Sequence, residues 1–83
     1  MFCVYILQSQ KDGKYYIGYT ENIEIRLKWH NEGRNKSTAY RRPLKLVHSE
    51  NFLTKQGAMQ REKQIKLYKG GNEFKKLIQG SVA

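Results

Sequence analysis

Cysteine, acidic residues and long apolar segments are all scarce in this sequence of 83 residues. Its one cysteine, Cys3, excludes an intramolecular disulfide and a four-cysteine zinc site, and its apolar neighbours indicate a small buried side chain. No apolar stretch approaches the roughly 18 residues of a membrane span. The start, MFCVYILQSQ, lacks the basic region and the small-residue cleavage site of a signal peptide, so we expect a cytoplasmic protein.

The shortage of acidic residues leaves a large positive charge. Lysine and arginine number 16 against 7 aspartate and glutamate residues, which gives a formal net charge of +9. A field of one sign attracts polyanions, with nucleic acid first and anionic membrane surfaces second. The basic residues are spread along the chain, so a basic tail does not explain the charge. The alternative explanation is a surface that only aids solubility.

The length predicts a single compact domain over residues 1–83, with a radius of gyration of about 12 Å. Two strands open the predicted fold. Residues 2–8, FCVYILQ, are almost continuously apolar, which favours a strand that is buried on both faces. Asp12-Gly13 is a hairpin turn signal, and residues 15–20, YYIGYT, are rich in strand-forming residues.

The predicted hairpin brings two tyrosines onto one face of the sheet. With a two-residue turn, paired residues have numbers that add up to 25, so Tyr5 lies opposite Thr20. Since side chains alternate along a strand, Tyr5 shares its face with Tyr16, Gly18 and Thr20. We expect the glycine to leave space for a ligand beside the two tyrosyl hydroxyls.

The rest of the chain predicts three helices and one more strand. These are a helix from the cap Asn22 to about Glu32, a strand at 44–50, a helix from the cap Thr54 to about Lys69, and a short helix at 73–78. The order β-β-α-β-α-α indicates an α/β fold with a small, three-stranded, mostly antiparallel sheet that is flanked by helices.

Five side chains in this arrangement could carry chemistry, although each also has an ordinary structural explanation. Tyr5 and Tyr16 could simply pack at the edge of a core. Arg26 and His30, four residues apart on the first helix, could be solvated or could grip a phosphate through the guanidinium. Glu62 falls inside the apolar stripe of the second helix, where a carboxylate needs a basic partner or a metal ion such as Mg²⁺.

A basic connector joins the first helix to the third strand. It holds Lys36, Tyr40, Arg41 and Arg42, a mixture that suits nucleic acid through stacking and phosphate contacts, or else forms an ordinary surface loop. His48 is expected to be structural, because no helical histidine pair indicates a zinc site. Together the features favour phosphoryl transfer, in which arginine neutralises a phosphate, a carboxylate holds a metal, and tyrosine or histidine activates water.

The ordered set of motifs resembles the GIY-YIG nuclease superfamily, and most of all its small stand-alone bacterial members. The motifs are CVY at 3–5, YIG at 16–18, Thr20, Arg26, HNEG at 30–33 and RE at 61–62. The likeness covers nearly the whole chain. CVY stands where the family has GIY, but only the tyrosine of that tripeptide carries chemistry in the family.

The resemblance implies a DNA endonuclease that hydrolyses phosphodiester bonds with one divalent cation, Mg²⁺ or Mn²⁺. It implies that Glu62 holds the cation against the leaving 3′ oxygen and that Arg26 grips the scissile phosphate. Tyr5 and Tyr16 would be paired active-site tyrosines, one of which deprotonates the attacking water while His30 accepts its proton. Which tyrosine acts as the base stays open.

The substrate and partners are defined more loosely. With no separate DNA-binding domain, the chain would recognise DNA structure in repair or recombination, cut with low sequence specificity, or borrow specificity from a protein partner. The resemblance also implies that Thr20 and, as the weaker candidate, Asn72 lend hydrogen bonds, and Thr20 is grouped with the connector residues Lys36, Tyr40, Arg41 and Arg42 as binding nucleic acid. The alternative function is a non-catalytic nucleic-acid-binding or adaptor module. RNA is the weaker substrate expectation, because the sequence contains no RNA-recognition signature.

Overall fold

The computed structural model describes residues 1–36, 38–68 and 71–80. In chain order its elements are β1 Phe2–Ser9, β2 Tyr15–Thr20, α1 Ile23–Asn31, a one-turn 3-10 helix Ala39–Arg41, β3 Leu44–Phe52, α2 Lys55–Leu67 and α3 Asn72–Gly80. This order confirms the predicted α/β fold. The expected end of the second helix near Lys69 lies outside the described residues.

β1 is the central strand of an antiparallel sheet with the order β2-β1-β3. All five residues from Cys3 to Leu7 are buried, which confirms the prediction of a strand covered on both faces. One face packs against α2 and α3, in a core built from Val4, Ile6, Ala58, Ile65 and Phe74. The other face packs against α1, in a second core built from Tyr5, Leu7, Leu44, Ile23 and Leu27.

The pairing of β1 with β2 differs from the predicted register by two residues. Tyr5 lies opposite Gly18, and Thr20 lies opposite Cys3. Because side chains alternate with a period of two, a shift of two residues preserves the faces. Tyr5 therefore still shares its face with Gly18 and Tyr16, as the alternation predicted.

The hairpin loop explains the shift in register. Ser9 Oγ accepts hydrogen bonds from the backbone N–H groups of Lys11, at 3.1 Å, and Asp12, at 3.2 Å. The Ser9 N–H in turn donates to the carbonyl of Lys14 at 2.9 Å, which closes a loop longer than a two-residue turn. Gly13 takes the positive φ of 74° that the turn signal indicated.

α1 begins and ends where its sequence signals predict. The Asn22 side chain accepts a hydrogen bond from the Ile25 N–H at 3.1 Å, and the helix stops at Glu32 before Gly33, whose φ is +79°. This fixed start and end set which α1 side chains face the sheet. Across the part of the chain that the structure describes, none of the helices has the length and apolar character needed to cross a bilayer.

Candidate active site

Tyr5 and His30 form a hydrogen-bonded pair inside the protein. Tyr5 comes from the central strand and is 2% exposed, while His30 comes from the last turn of α1 and is 0% exposed. The Tyr5 Oη lies 3.2 Å from His30 Nε2. A histidine buried this completely needs partners for both ring nitrogens, and the basic connector supplies the second one.

Thr38 holds the other side of the imidazole. Its Oγ1 lies 3.1 Å from His30 Nδ1 and also donates a hydrogen bond to the Asn35 carbonyl at 3.4 Å. Because the Thr38 hydrogen is directed to that carbonyl, its oxygen accepts from His30 Nδ1–H. His30 Nε2 is then the acceptor for the Tyr5 hydroxyl, so the hydrogen bonds run in one direction from Tyr5 to Asn35.

The electrostatic surroundings keep Tyr5 protonated and His30 neutral. Burial and the positive charge of Arg26 both lower the pKa of His30 below its ordinary value. Burial, and the nearby Tyr16 and Glu62, raise the pKa of the Tyr5 phenol above its ordinary range, although Arg26 opposes them. At neutral pH, therefore, the phenol carries a proton and the imidazole can accept one.

Tyr16 lies beside this pair. Its ring centroid is 4.9 Å from that of His30 and 6.4 Å from that of Tyr5. Asn35 Nδ2 donates a hydrogen bond to the Tyr16 Oη at 3.3 Å. Asn35 therefore contacts both ends of the cluster, through its side chain at Tyr16 and through its carbonyl at Thr38.

Gly18 lies directly under the Tyr5 side chain. A Cβ atom at this position would lie 2.6 Å from the Tyr5 Oη and 2.8 Å from its Cζ, which is closer than van der Waals contact. The expectation that Gly18 leaves space for a ligand is therefore wrong. The space above the glycine is filled by the tyrosine from the neighbouring strand.

We expect Gly18→Ala to lower the free energy of unfolding by about 1–3 kcal/mol, because the added methyl group forces the buried Tyr5 ring out of place. Chemical denaturation followed by circular dichroism measures this change. Gly57→Ala is the matched control, since its Cβ would meet no atom closer than 3.2 Å. Equal stability of Gly18→Ala and the natural protein would contradict the close approach of Tyr5.

Arg26 lines a surface groove at the start of α1. Its guanidinium carbon is 4.8 Å from the centroid of the Trp29 ring, a cation–π contact, and its charge acts on both Tyr5 and His30. The groove has a volume of about 570 Å³, and Arg26, Trp29, Thr20 and Lys55 are among its lining residues. Tyr5 and His30 do not line it, so Arg26 is the residue that joins the two regions.

Thr20 shapes the start of α1 beside this groove. Its hydroxyl accepts a hydrogen bond from the Asn22 N–H at 3.3 Å and donates one to the Asn22 carbonyl at 3.4 Å. These contacts form a local turn that leads the chain into the helix. These contacts give Thr20 a structural role at the edge of the groove.

Glu62, on α2, is a carboxylate whose charge acts on Tyr5. Its side chain is 18% exposed, and its Oε1 lies 3.7 Å from Lys66 Nζ, one turn further along α2. The negative charge of Glu62 raises the pKa of Tyr5, so the carboxylate is within electrostatic reach of the phenol. Part of the expected cost of this polar group in an apolar stripe is offset by the Lys66 ion pair.

The donor set around Glu62 fits a hard divalent cation. Within residues 1–36, 38–68 and 71–80, no cluster of three or more histidine, cysteine, aspartate or glutamate side chains is arranged to hold a metal ion. Mg²⁺ and Mn²⁺ do not need such a cluster, because they bind through one or two carboxylates together with water and substrate phosphate. A single, partly exposed carboxylate whose charge acts on the same tyrosine as that of Arg26 matches that requirement.

The basic connector residues lie apart from the groove beside Arg26. Tyr40 is 67% exposed, and it lines a second cavity, of about 470 Å³, together with Lys11 and Arg42. Lys36 is exposed, whereas Arg41 is half-buried and forms an ion pair with Asp12 at 3.7 Å. The groove beside Arg26 and the cavity lined by the connector are therefore two separate basic regions.

Two of the remaining sequence candidates lie on other parts of the molecule. His48 Nε2 is 2.7 Å from Glu50 Oε2, a hydrogen-bond contact that agrees with the structural role expected for this histidine. Asn72 is exposed at the first turn of α3.

Sequence reasoning missed Thr38, Asn35 and Trp29. Thr38 and Asn35 are polar residues of an irregular connector, where no periodic pattern signals burial. Trp29 adjoins His30 on α1, and its contact with Arg26 could have been found from their three-residue spacing on the helix.

The fold and the tyrosine-histidine cluster define a GIY-YIG catalytic domain, and a family model of that description matches residues 1–75. The chain belongs to the GIY-YIG family. Membership of this family implies a nuclease-type function of the endonuclease class. Nucleases of this family generally use divalent metal ions.

Relatives and a solved structure agree with this assignment. The chain is 41% identical over 78 residues to a UPF0213 protein of Staphylococcus saprophyticus, covering 93% of this chain and 94% of the relative. It is 54% identical over 59 residues to a UPF0213 protein of Bacillus licheniformis, covering 70% and 60% of the two chains. The solution NMR structure of the UPF0213 protein BH0048 from Bacillus halodurans matches with a TM-score of 0.60 and 34% identity, over 95% of this chain and 84% of that one.

Proposed function

We propose that this protein is an endonuclease that hydrolyses DNA phosphodiester bonds with the help of Mg²⁺ or Mn²⁺. The observation that carries the proposal is the directed hydrogen-bond chain from Tyr5 through His30 to Thr38. A buried phenol joined to a neutral imidazole is a device for moving a proton. The charges of Arg26 and Glu62, which both act on Tyr5, supply the other elements that phosphodiester hydrolysis needs.

Tyr5 is the general base in this proposal. Its oxygen takes a proton from the attacking water while its own proton passes to His30 Nε2, 3.2 Å away. The water oxygen forms a bond to phosphorus as the bond from phosphorus to the 3′ oxygen breaks, and the leaving oxygen takes a proton from solvent. The proton on His30 then returns to the Tyr5 oxygen as Tyr5 releases its other proton to solvent, which restores the starting pair. The coupled transfer avoids a free phenolate, which burial makes costly at this position.

Tyr16, Arg26 and Glu62 would orient and neutralise the phosphate. Arg26 would bind the phosphate oxygens through two of its N–H groups. The Tyr16 hydroxyl, which accepts a hydrogen bond from Asn35, would donate one to the phosphate as a third contact. Glu62 would hold the divalent cation, which when bound supplies positive charge for the leaving oxygen. Lys66 would give up its ion pair with Glu62 when that carboxylate binds the cation.

The DNA would extend from the groove beside Arg26 towards the basic connector. Thr20 lines that groove. Further away, the DNA phosphates would be bound by the basic side chains of the connector, Lys36, Arg41 and Arg42, and the ring of Tyr40 would stack on an exposed base. Asn72, in the first turn of α3, would add a hydrogen bond to the DNA. We propose that a single cytoplasmic domain over residues 1–83 cuts DNA selectively by its structure, in repair or recombination. RNA is the weaker substrate candidate, and a protein partner would supply further specificity.

The proposal is tested by incubating the purified protein with end-labelled DNAs that are single-stranded, duplex, flapped or branched. We expect cuts that require Mg²⁺ or Mn²⁺, stop with a chelator and differ in rate among the four DNA forms. Binding measured by fluorescence anisotropy should weaken with salt in either case, because phosphate contacts release counterions. Binding without cuts on every DNA would support the alternative, a non-catalytic nucleic-acid-binding or adaptor module.

A further inference from the structure

Arg61 and Glu50 form a forked ion pair between α2 and β3 that the proposed chemistry does not use. Arg61 Nε donates to Glu50 Oε1 at 2.9 Å, and Arg61 Nη2 donates to Glu50 Oε2 at 3.0 Å. His48 Nε2 lies 2.7 Å from the same Oε2. None of the three side chains is more than 25% exposed. This two-point geometry fixes both the distance and the orientation of the guanidinium.

The remaining guanidinium nitrogen of Arg61 is bound to its own helix. Arg61 Nη1 donates to Gln64 Oε1 at 2.8 Å and to the Tyr68 Oη at 3.4 Å. Burial opposes the ionisation of Glu50, but the hydrogen bonds from Arg61 and His48 outweigh it and lower the pKa of that carboxyl. Arg61 is therefore a rigid link from the second half of α2 to the outer strand of the sheet.

Arg61 directly precedes Glu62, the carboxylate that is proposed to hold the metal. An α-helix turns about 100° per residue, so the direction in which Arg61 points sets the direction in which Glu62 points. Arg61 reaches outwards to β3, while the charge of Glu62 acts on Tyr5 in the neighbouring strand. A roll or slide of α2 would therefore disturb the Glu50–Arg61 ion pair and the position of Glu62 together.

We infer that the Glu50–Arg61 ion pair, supported by His48, is a positioning device that fixes the place at which α2 presents the Glu62 carboxylate. These side chains are positioning residues and touch neither DNA nor metal. The inference rests on the proposed function, since it assigns Glu62 a task that requires accurate placement. The competing explanation is that the pair matters only for stability, because removing one partner leaves the other charge buried and uncompensated.

The test uses Glu50→Gln, which keeps the shape of the side chain and removes its charge. Mn²⁺ titration of the ¹⁵N-labelled protein should broaden the amide signals around Glu62 in the natural protein. In Glu50→Gln we expect the same broadening to need about ten-fold more Mn²⁺, the usual effect of losing a partner that supports a metal ligand. Cleavage should fall in kcat with the DNA affinity unchanged. Glu73→Gln, which breaks the exposed Glu73–Lys76 pair on α3, is the matched control and should behave as the natural protein.

A double-mutant cycle separates positioning from stability. In a Glu62→Ala background, Glu50→Gln should cause no further loss of residual cleavage, because the carboxylate that it positions is gone. If the pair is purely stabilising, its loss in Glu50→Gln will lower the unfolding temperature equally in both backgrounds. Mn²⁺ broadening and kcat will then stay unchanged, which would overturn the inference. If the natural protein shows neither broadening nor cuts, the proposed function itself fails. If it shows both, and Glu50→Gln matches it, only the positioning role fails.

Discussion

Glu62→Gln is expected to lower the rate of metal-dependent DNA cleavage by at least about a thousand-fold, because an amide cannot replace the carboxylate as a ligand for a hard cation. A loss of this size corresponds to about 4 kcal/mol of transition-state stabilisation. DNA affinity should stay within about two-fold, since removing one negative charge from a basic surface does not weaken phosphate contacts. Single-turnover cleavage and anisotropy, measured on the same DNA, give the two quantities.

Glu24→Gln is the matched control for this substitution. Glu24 is an exposed carboxylate in the first turn of α1, so its replacement changes the net charge equally without touching the site. The metal role of Glu62 would be refuted if Glu62→Gln cut DNA at the natural rate. It would also be refuted if added Mn²⁺ had the same effect on both variants.

Tyr5→Phe is expected to lower kcat by about a hundred- to ten-thousand-fold, the range over which a general base contributes. The substitution keeps the aromatic ring that packs over Gly18 and removes only the hydroxyl that donates to His30. Without the Tyr5 hydroxyl, His30 Nε2 loses its hydrogen-bond partner, which should lower the free energy of unfolding by about 1–3 kcal/mol. The variant is therefore assayed under conditions where denaturation curves show that it is folded.

Two comparisons make the Tyr5 prediction specific. Tyr15→Phe removes a hydroxyl from the adjacent, more exposed tyrosine of β2, and it should retain full cleavage. Tyr16→Phe should reduce cleavage less than Tyr5→Phe if Tyr5 is the base. The reverse order would transfer the role of base to Tyr16 and would remove the proton path through His30 from the mechanism.

The same proton path predicts the pH dependence. His30 must be neutral to accept the proton, and burial together with Arg26 lowers its pKa below the ordinary value of about 6.5. The cleavage rate of the natural protein should therefore stay constant at neutral pH. It should fall at pH values below about 6.5, as the pH passes through the lowered pKa of His30 and the imidazole becomes protonated. The folded protein loses stability over the same interval, because the unfolded state binds the proton more readily.

Local signals in the sequence were enough to predict most of the fold. The apolar run at 2–8 indicated a strand covered on both faces, and the structure places it between two cores. Asn22 and Thr54 marked the starts of two helices, because a cap side chain binds a backbone N–H within the next three residues. These features depend on neighbours in the chain, which a sequence displays directly.

The details that the sequence did not predict depend on distant contacts or on loop geometry. The hairpin register followed from the hydrogen bonds of Ser9 inside the loop, which a two-residue turn rule does not include. The filling of the space above Gly18 depends on the rotamer of Tyr5 in another strand. The burial of Thr38 depends on His30, eight residues away, and its polar surroundings in the sequence favoured an exposed loop.

The central position of β1 also determines which genetic changes this strand tolerates. Val4 and Ile6 face the core beneath α2 and α3, while Tyr5 and Leu7 face α1 and the proposed site. An exchange of one aliphatic residue for another at the first pair leaves the tyrosine where it is. Removing or inserting a single residue would turn every later side chain to the opposite face, carrying an aliphatic residue into the site and the phenol into the core. In this strand, therefore, length is under stricter constraint than composition.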